Sequence, residues 1–194
     1  STSSRGLGDV YKRQECEQIA LEQFEIDNSD GAELSSFEGE SYYANSNGLI
    51  TKSKNSKHSL YCSLIAKRDS EMQTGYEYAI ALDSRDLTSP SKIGLEAAKM
   101  AQQKLGSRNL KSQKCPIIFT ARQSSGLFSQ LLGALSGSRQ YKKTSFLLDS
   151  LGKEVLPGSI NIYEDPLQLK TLGSRAFDLD AVSYTHLRAH ETKC

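Results

Sequence analysis

The stretch GYEYAIALD, Gly75 to Asp83, decides the fold of the first half of this chain. Side chains on a strand point alternately to its two faces. Here Tyr76, Tyr78, Ile80 and Leu82 share one face, and Glu77, Ala79 and Ala81 share the other. Just upstream, HSLYCSLIAKRDS (58–70) puts Leu60, Cys62 and Leu64 on one face. Further back, AELSSFEGESYYANSNGLITKS (32–53) alternates on either side of a turn at Asn45 to Gly48, which predicts two short strands. Together these runs predict an antiparallel sheet with one face covered.

A helix supplies the cover. Ser89 suits the N-cap and Pro90 the first helical position. Ile93, Ala97, Ala101 and Leu105 form an apolar stripe at helical spacing, and Gly106 is placed to stop it. That stripe is expected to pack on the sheet. Ahead of the strands, ECEQIALEQF (15–24) reads as the end of another helix, with Ile19, Ala20 and Phe24 in phase.

The second half opens after a polar connector, SRNLKSQK, and a domain boundary falls near residue 109. CPIIFTA (115–121) reads as a short strand with Pro at its start. SGLFSQLLGALSG (125–137) reads as a helix with a wide stripe of Leu127, Phe128, Leu131, Leu132 and Leu135, weakened at Gly133 and ended by Gly137. An apolar patch at Ser145 to Leu148, a turn at Asp149 to Gly152 and a strand-like SINIYED follow. The fold class is α+β: a sheet with a packed helix, then the start of a mixed α/β domain.

The two ends differ from the rest. SSRGLGDVYKRQ and VSYTHLRAHETKC resemble translated sequencing adapter, so residues 1–14 and 183–194 are set apart as tails. The domains are then 15–108 and 109–182. The chain's formal charge is +1, and the tails carry +2 and +1 of it, which leaves −2 on the core. That balance offers no basic footprint for nucleic acid. The apolar runs are too short for a membrane span, and no signal-peptide pattern opens the chain. The core cysteines Cys16, Cys62 and Cys115 are scattered without a CxxC pair, as in a reduced, cytoplasmic protein.

Several motifs compete for chemistry. HLRAH places His186 and His190 at zincin spacing, but Leu187 stands where the glutamate belongs and the segment is adapter-like. His58 stands alone and reads as a surface or pairing residue. SLGK (150–153) has the SxxK spacing of penicillin-binding enzymes without their SDN and KTG partners; a turn explains it equally well. GALSGSR closes a helix and lacks the GK[ST] of a phosphate cradle. Lys52, Lys54 and Lys57 read as a solvated loop. Arg139, Lys142 and Lys143 around Tyr141 could meet an acidic partner or a peptide carboxylate, and a solvated face explains them too.

SSGLFSQLLGALSGSRQYKKTSFLLDSLGKEVLP, INIYEDP and GSRAFDLD closely resemble the PmbA (TldE) branch of the TldD/PmbA metallopeptidases. YEYAIALDSRDLTSP resembles the middle domain of the same branch. The resemblance covers residues 15–182. It implies a piece of a longer subunit, without the family's N-terminal domain and most of its C-terminal domain. TldD-type subunits carry a zinc motif, HExxxH, on a helix after a strand. Laid on this chain, the first histidine position holds Ser125, the glutamate Gly126 and the second histidine Gln130. A hydroxyl and a neutral amide are poor donors to zinc, and glycine cannot act as a general base.

The resemblance therefore implies no catalytic residue and no metal or cofactor on this chain, with zinc on a TldD-like partner. The expected partners are that catalytic subunit and unfolded peptides, with neither nucleic acid nor membrane. Arg139, Tyr141, Lys142, Lys143, Ser145, Phe146 and Asp149 are the candidates for contacting partner or peptide. The rival expectation is a regulatory binding protein of the gyrase-modulator type, without a role in peptide cleavage.

Overall fold

The computed structural model describes residues 3–46, 48 and 50–174. In chain order these form α1 (Ser3–Leu21), β1 (Ile26–Ala44), β2 (Ile50–Arg68), β3 (Glu71–Ala81), α2 (Pro90–Gln102), α3 (Ala121–Leu135) and α4 (Gly137–Tyr141). The chain divides into two compact units. Residues up to 109, joined by 165–174, make the first; 110–164 make the second.

The first unit is a three-stranded antiparallel sheet in the order β1-β2-β3 with α1 and α2 packed on one face. The fold is α+β, as the alternation and the helical stripe predict. The register pairs Leu60 with Ala79, Cys62 with Glu77 and Leu64 with Gly75, so these residues share the covered face. Leu60, Cys62 and Leu64 are fully buried against Cys16 and Ala20 of α1 and Ile93, Ala97 and Ala98 of α2. Each leucine so buried contributes about 1.5–3 kcal/mol. A second cluster joins Ala66, Ala101 and Leu105.

Of the two faces on β3, the helices cover the one with small residues. Gly75 is buried and Ala79 packs on the core, while Tyr76 and Tyr78 are 45% and 48% exposed on the open face. Close approach of the helix explains the choice. A Cβ on Gly75 would collide with the backbone of Ala101, so α2 lies directly on this strand. On the open face the rings of Tyr61 and Tyr76 stack at 5.8 Å between centroids.

Two expectations for this unit need correcting. The segments before and after residue 54 are one strand, β2, not two short ones. The ladder runs unbroken through Glu38–Ser56, Gly39–Asn55 and Glu40–Lys54, because a ribbon wet on both faces needs no apolar residue there. Lys52 and Lys54 consequently sit on a strand, not a loop. Both bond Glu40 of β1, at 2.8 and 3.1 Å. The first helix, α1, runs from Ser3 to Leu21. Its first fully buried side chain is Cys16, and none of residues 8–14 is buried.

In the second unit α3 begins at Ala121, earlier than the apolar stripe suggests, with Thr120 at its N-cap. It ends at Leu135, and Gly137 opens α4 instead of closing α3. CPIIFTA and SINIYED form no strands. A strand needs a neighbour for its N–H and C=O groups, and none pairs with either run among the described residues. Ile118 is 96% exposed. Among the described residues, no helix is long and apolar enough to cross a membrane.

Candidate functional site

The replaced zinc-motif positions and the contact residues singled out by the sequence lie on α3 and the segment that follows. Ser125 and Gly126 lie in the second turn of α3, and Gln130 lies farther along it; all three are exposed. The Ser125 hydroxyl donates to the Arg122 carbonyl at 2.8 Å, so it is engaged with its own helix. Ser129 does the same to the Ser125 carbonyl at 2.8 Å. Gly126 has open space where a side chain would stand. The three positions offer neither imidazole, thiolate nor carboxylate, and this donor set does not fit a catalytic zinc. Among the described residues, no three His, Cys, Asp or Glu side chains converge as a metal site. The pair His186 and His190 lies outside the described residues.

The apolar stripe of α3 is only partly covered. Ala134 is its one fully buried residue, while Leu127 and Leu132 are 51% and 52% exposed.

Below α4, Ser145 ties the unit together. Its buried hydroxyl donates to the Ala134 carbonyl at 2.7 Å and accepts from the Leu147 amide at 3.0 Å. The Gln140 amide nitrogen donates to the same Ala134 carbonyl at 2.8 Å and lies 3.2 Å from the Ser145 hydroxyl. Ser145 is therefore a brace between α3 and the chain after α4, and it does not face outward as an interface residue would. The other predicted contact residues do. Arg139, Tyr141, Lys142, Lys143 and Phe146 are exposed, and the Arg139 guanidinium lies over Gly133. Lys143 and Asp149 adopt positive φ, +54° and +56°, which fixes the two bends that expose this segment.

An open pocket of about 960 Å³ lies in the same unit. Its apolar lining comes from Leu132, Leu135, Leu147 and Ile162, with Asp149, Lys153 and Glu164 as charged members. Of the predicted contact residues, Asp149 alone lines it. Gln140, Lys153 and Glu164 were not singled out for it by the sequence. Lys153 closes the SFLLDSLGK block and reads only as the lysine of SxxK; Gln140 and Glu164 carry no signal beyond lying near that block in the chain. Ser150 of the SxxK match donates to the Leu147 carbonyl at 2.6 Å, and Lys153 donates its amide to the Ser150 carbonyl at 2.9 Å. That motif is a turn.

His58, considered as a pairing residue, is buried inside β2 with its Nδ1 3.0 Å from the Ser36 hydroxyl on β1.

These elements match two family descriptions end to end. Residues 12–105 match the PmbA/TldA metallopeptidase central domain, and residues 112–187 match the PmbA/TldA metallopeptidase C-terminal domain. This chain belongs to the PmbA branch of the TldD/PmbA family. It is 37% identical over 167 residues to "Metalloprotease PmbA" of Escherichia coli O157:H7, covering 86% of this chain and 37% of that protein. It is 38% identical over 169 residues to a Metalloprotease PmbA homolog of Haemophilus influenzae, covering 87% and 38%. Among solved structures it resembles a candidate modulator of DNA gyrase from Bacteroides thetaiotaomicron, with TM-score 0.84 and 25% identity, over 92% of this chain and 41% of that one. A second, from Thermotoga maritima, has TM-score 0.82 at 24% identity, over 90% and 40%, and speaks for the fold alone. The chain thus spans well under half the length of the relatives it matches.

Proposed function

We propose that this chain is part of a PmbA-type subunit of a cytoplasmic TldD/PmbA metallopeptidase complex and leaves the zinc chemistry to a TldD-like partner. The observation that carries this is the make-up of α3. The positions that hold HExxxH in TldD-type subunits hold Ser125, Gly126 and Gln130 here, with Ser125 bonded back to its own helix. The scaffold of the motif helix is present, and the groups that would bind zinc and activate water are replaced.

In this reading the chain's own residues bind and enclose. The exposed cations Arg139, Lys142 and Lys143 present a positive face to a partner or to a peptide carboxylate. The pocket beside α3 combines an apolar floor with Asp149, Lys153 and Glu164, a lining that suits an unfolded peptide segment. Metalloprotease naming among the relatives at 37–38% identity supports peptidase involvement.

The rival reading, a regulatory binding protein, draws on the gyrase-modulator description of the structural relative. The core charge of −2 argues against direct contact with DNA. One experiment separates the two. The full-length parent, assayed on unfolded peptides alone and after mixing with a TldD-like subunit, should cleave only in the mixture and lose activity when the metal is chelated. Cleavage by the parent alone would overturn the assignment, and failure to bind the subunit would favour the regulatory reading.

A further inference from the structure

The central strand β2 runs on after its neighbour β3 has ended. The β2–β3 ladder closes at His58 opposite Ala81, while β1 stays paired with β2 as far as Ala44 opposite Ile50. Residues 50–57 are therefore bonded along one edge only, and among the described residues no strand takes the place that β3 leaves. The last tie is the Ser56 hydroxyl, which donates to the Leu82 carbonyl at 2.6 Å. Beyond it the chain turns off into a short 3-10 helix at Ser84–Asp86. The ladder shows which backbone groups face the gap. The Tyr78 amide, opposite Tyr61, turns away from β2 to the Glu77 carboxylate at 2.9 Å. The Lys67 amide donates to the Glu25 carbonyl, at the head of β1, at 2.8 Å. Odd-numbered residues of β2 thus bond towards β1, and even-numbered ones bond towards β3. No register shift interrupts β1 and β2 between Gly31 and Ala44, so the N–H and C=O groups of Ile50, Lys52 and Lys54 point into the vacant edge.

We propose that this edge takes an extended, acidic peptide segment, which adds to β2 as a strand in line with β3. Backbone pairing supplies the affinity, and alternate side chains choose the partner. Charge decides which partner fits. Residues 50–57, ITKSKNSK, hold three lysines and no carboxylate. Lys52 and Lys54 share one face of the strand, and the Lys54 side chain is 74% exposed. Glu40, which bonds both, stands on β1, across β2 from the vacant edge. An added strand meets the lysines first. Its carboxylates then lie beside them as cross-strand pairs, where opposite charges attract and like charges repel. A bare strand edge recruits other strands indiscriminately, and edge lysines limit that. Here they turn away basic segments, a second copy of the same edge included, and admit acidic ones. The proposal goes beyond the shared-zinc reading, because the edge binds a peptide backbone and cuts nothing.

The test uses the full-length parent and a fluorescein-tagged octapeptide of alternating threonine and glutamate, followed by fluorescence anisotropy. Binding should saturate, and the same octapeptide with lysine for glutamate should not bind. K52A/K54A should weaken binding about fivefold, the size of two cross-strand charge pairs. K54P loses the same charge as K54A and an outward N–H besides, so it should bind severalfold more weakly than K54A. A second measurement does not depend on K54P keeping its ribbon. Hydrogen exchange of the unsubstituted parent is read residue by residue by mass spectrometry with electron-transfer fragmentation. Saturating glutamate peptide should slow the Lys52 and Lys54 amides and leave those of Thr51 and Ser53, already bonded to β1, unchanged. The proposal is overturned if the glutamate peptide fails to saturate, which would make the lysines guards of a closed edge. It is equally overturned if the lysine peptide binds as well, if K54P binds as tightly as K54A, or if the slowing falls on β3 instead of on Lys52 and Lys54. None of these readouts involves peptide cleavage or a TldD-like subunit, so this proposal and the shared-zinc reading fail separately.

Discussion

Gly75 of β3 lies directly beneath Ala101 of α2, so close that a Cβ on the glycine would overlap the Ala101 backbone nitrogen and Cα. The contact is backbone on backbone, and no side-chain rotation relieves it. Gly75→Ala must push the helix off the sheet and disturb the clusters at Leu64 and at Ala66, Ala101 and Leu105. Overpacking against rigid neighbours costs about 1–3 kcal/mol and occasionally more, and the upper end is expected here. Urea denaturation of the chain should show the midpoint falling with little change in slope. A midpoint within error of the original would show that α2 does not ride on β3 as described.

A second prediction concerns acid. Glu25, at positive φ in the turn after α1, takes a two-pronged bond from Arg68 at 2.5 and 2.8 Å. That bond holds the Glu25 carboxyl below its ordinary range. A carboxylate with a depressed folded pKa adds stability above its unfolded pKa, and the addition is lost as pH falls through the folded pKa. Arg68→Met should therefore lower stability near neutral pH and flatten part of the decline on the acid side. The Arg68 side chain is half exposed, so the effect should be small and shrink with salt. A pH–stability profile unchanged by R68M would show the pair contributes nothing measurable.

A third prediction separates brace from surface in the candidate site. Ser145→Ala removes an acceptor for the Leu147 amide and a donor to the Ala134 carbonyl, both in a buried setting. About 1–3 kcal/mol should be lost from the second unit. Lys142→Glu with Lys143→Glu touches only exposed side chains and should leave its unfolding within about 0.5 kcal/mol. Equal destabilisation by both variants would place the lysines inside the fold's own contacts.

How far the sequence carried the fold can be traced residue by residue. The core of the first unit was legible because period-two and helical spacing each pointed to one burial pattern. Leu60, Cys62 and Leu64 face Ile93 and Ala97, and Pro90 and Gly106 bracket the helix. Which face of β3 lies under α2 was not legible. Large tyrosines suggest a core face, but the small side chains Gly75 and Ala79 admit the helix. The length of β2 was missed because Lys52, Lys54 and Lys57 read as a solvated loop, while a ribbon wet on both faces tolerates them. CPIIFTA has a strand's composition, but pairing comes from a neighbour that composition cannot supply. That Cys16 joins the same buried cluster as Cys62 depends on the docking of α1, a long-range event with no local signal.

Metal content supplies a fourth prediction. Ser125, Gly126 and Gln130 give zinc no strong donor, and no acidic, histidine or cysteine triad converges among the described residues. Purified chain, dialysed exhaustively, should carry well under one zinc per molecule by atomic emission. Near-stoichiometric zinc that is lost in Gln130→Ala would reverse the assignment of α3.

The last prediction tests the proposed pairing through its kinetics. Arg139, Lys142 and Lys143 lie within five residues of one another on an exposed segment, with Tyr141 89% exposed among them. No salt bridge to an acidic side chain holds Lys142 or Lys143 among those the structure shows. Charges at the rim of an interface act chiefly on the rate of encounter, because they steer the approach through solvent. If this segment faces the TldD-like subunit, K142E/K143E in the full-length parent should slow association severalfold at low salt. The difference should narrow as ionic strength rises and the Debye length falls below about 10 Å. Dissociation should change less. Tyr141→Ala, which removes a ring that interfaces favour, should act mainly on dissociation. Association rates unaffected by the charge reversal at every salt concentration would remove this segment from the interface, whether or not the two subunits pair elsewhere.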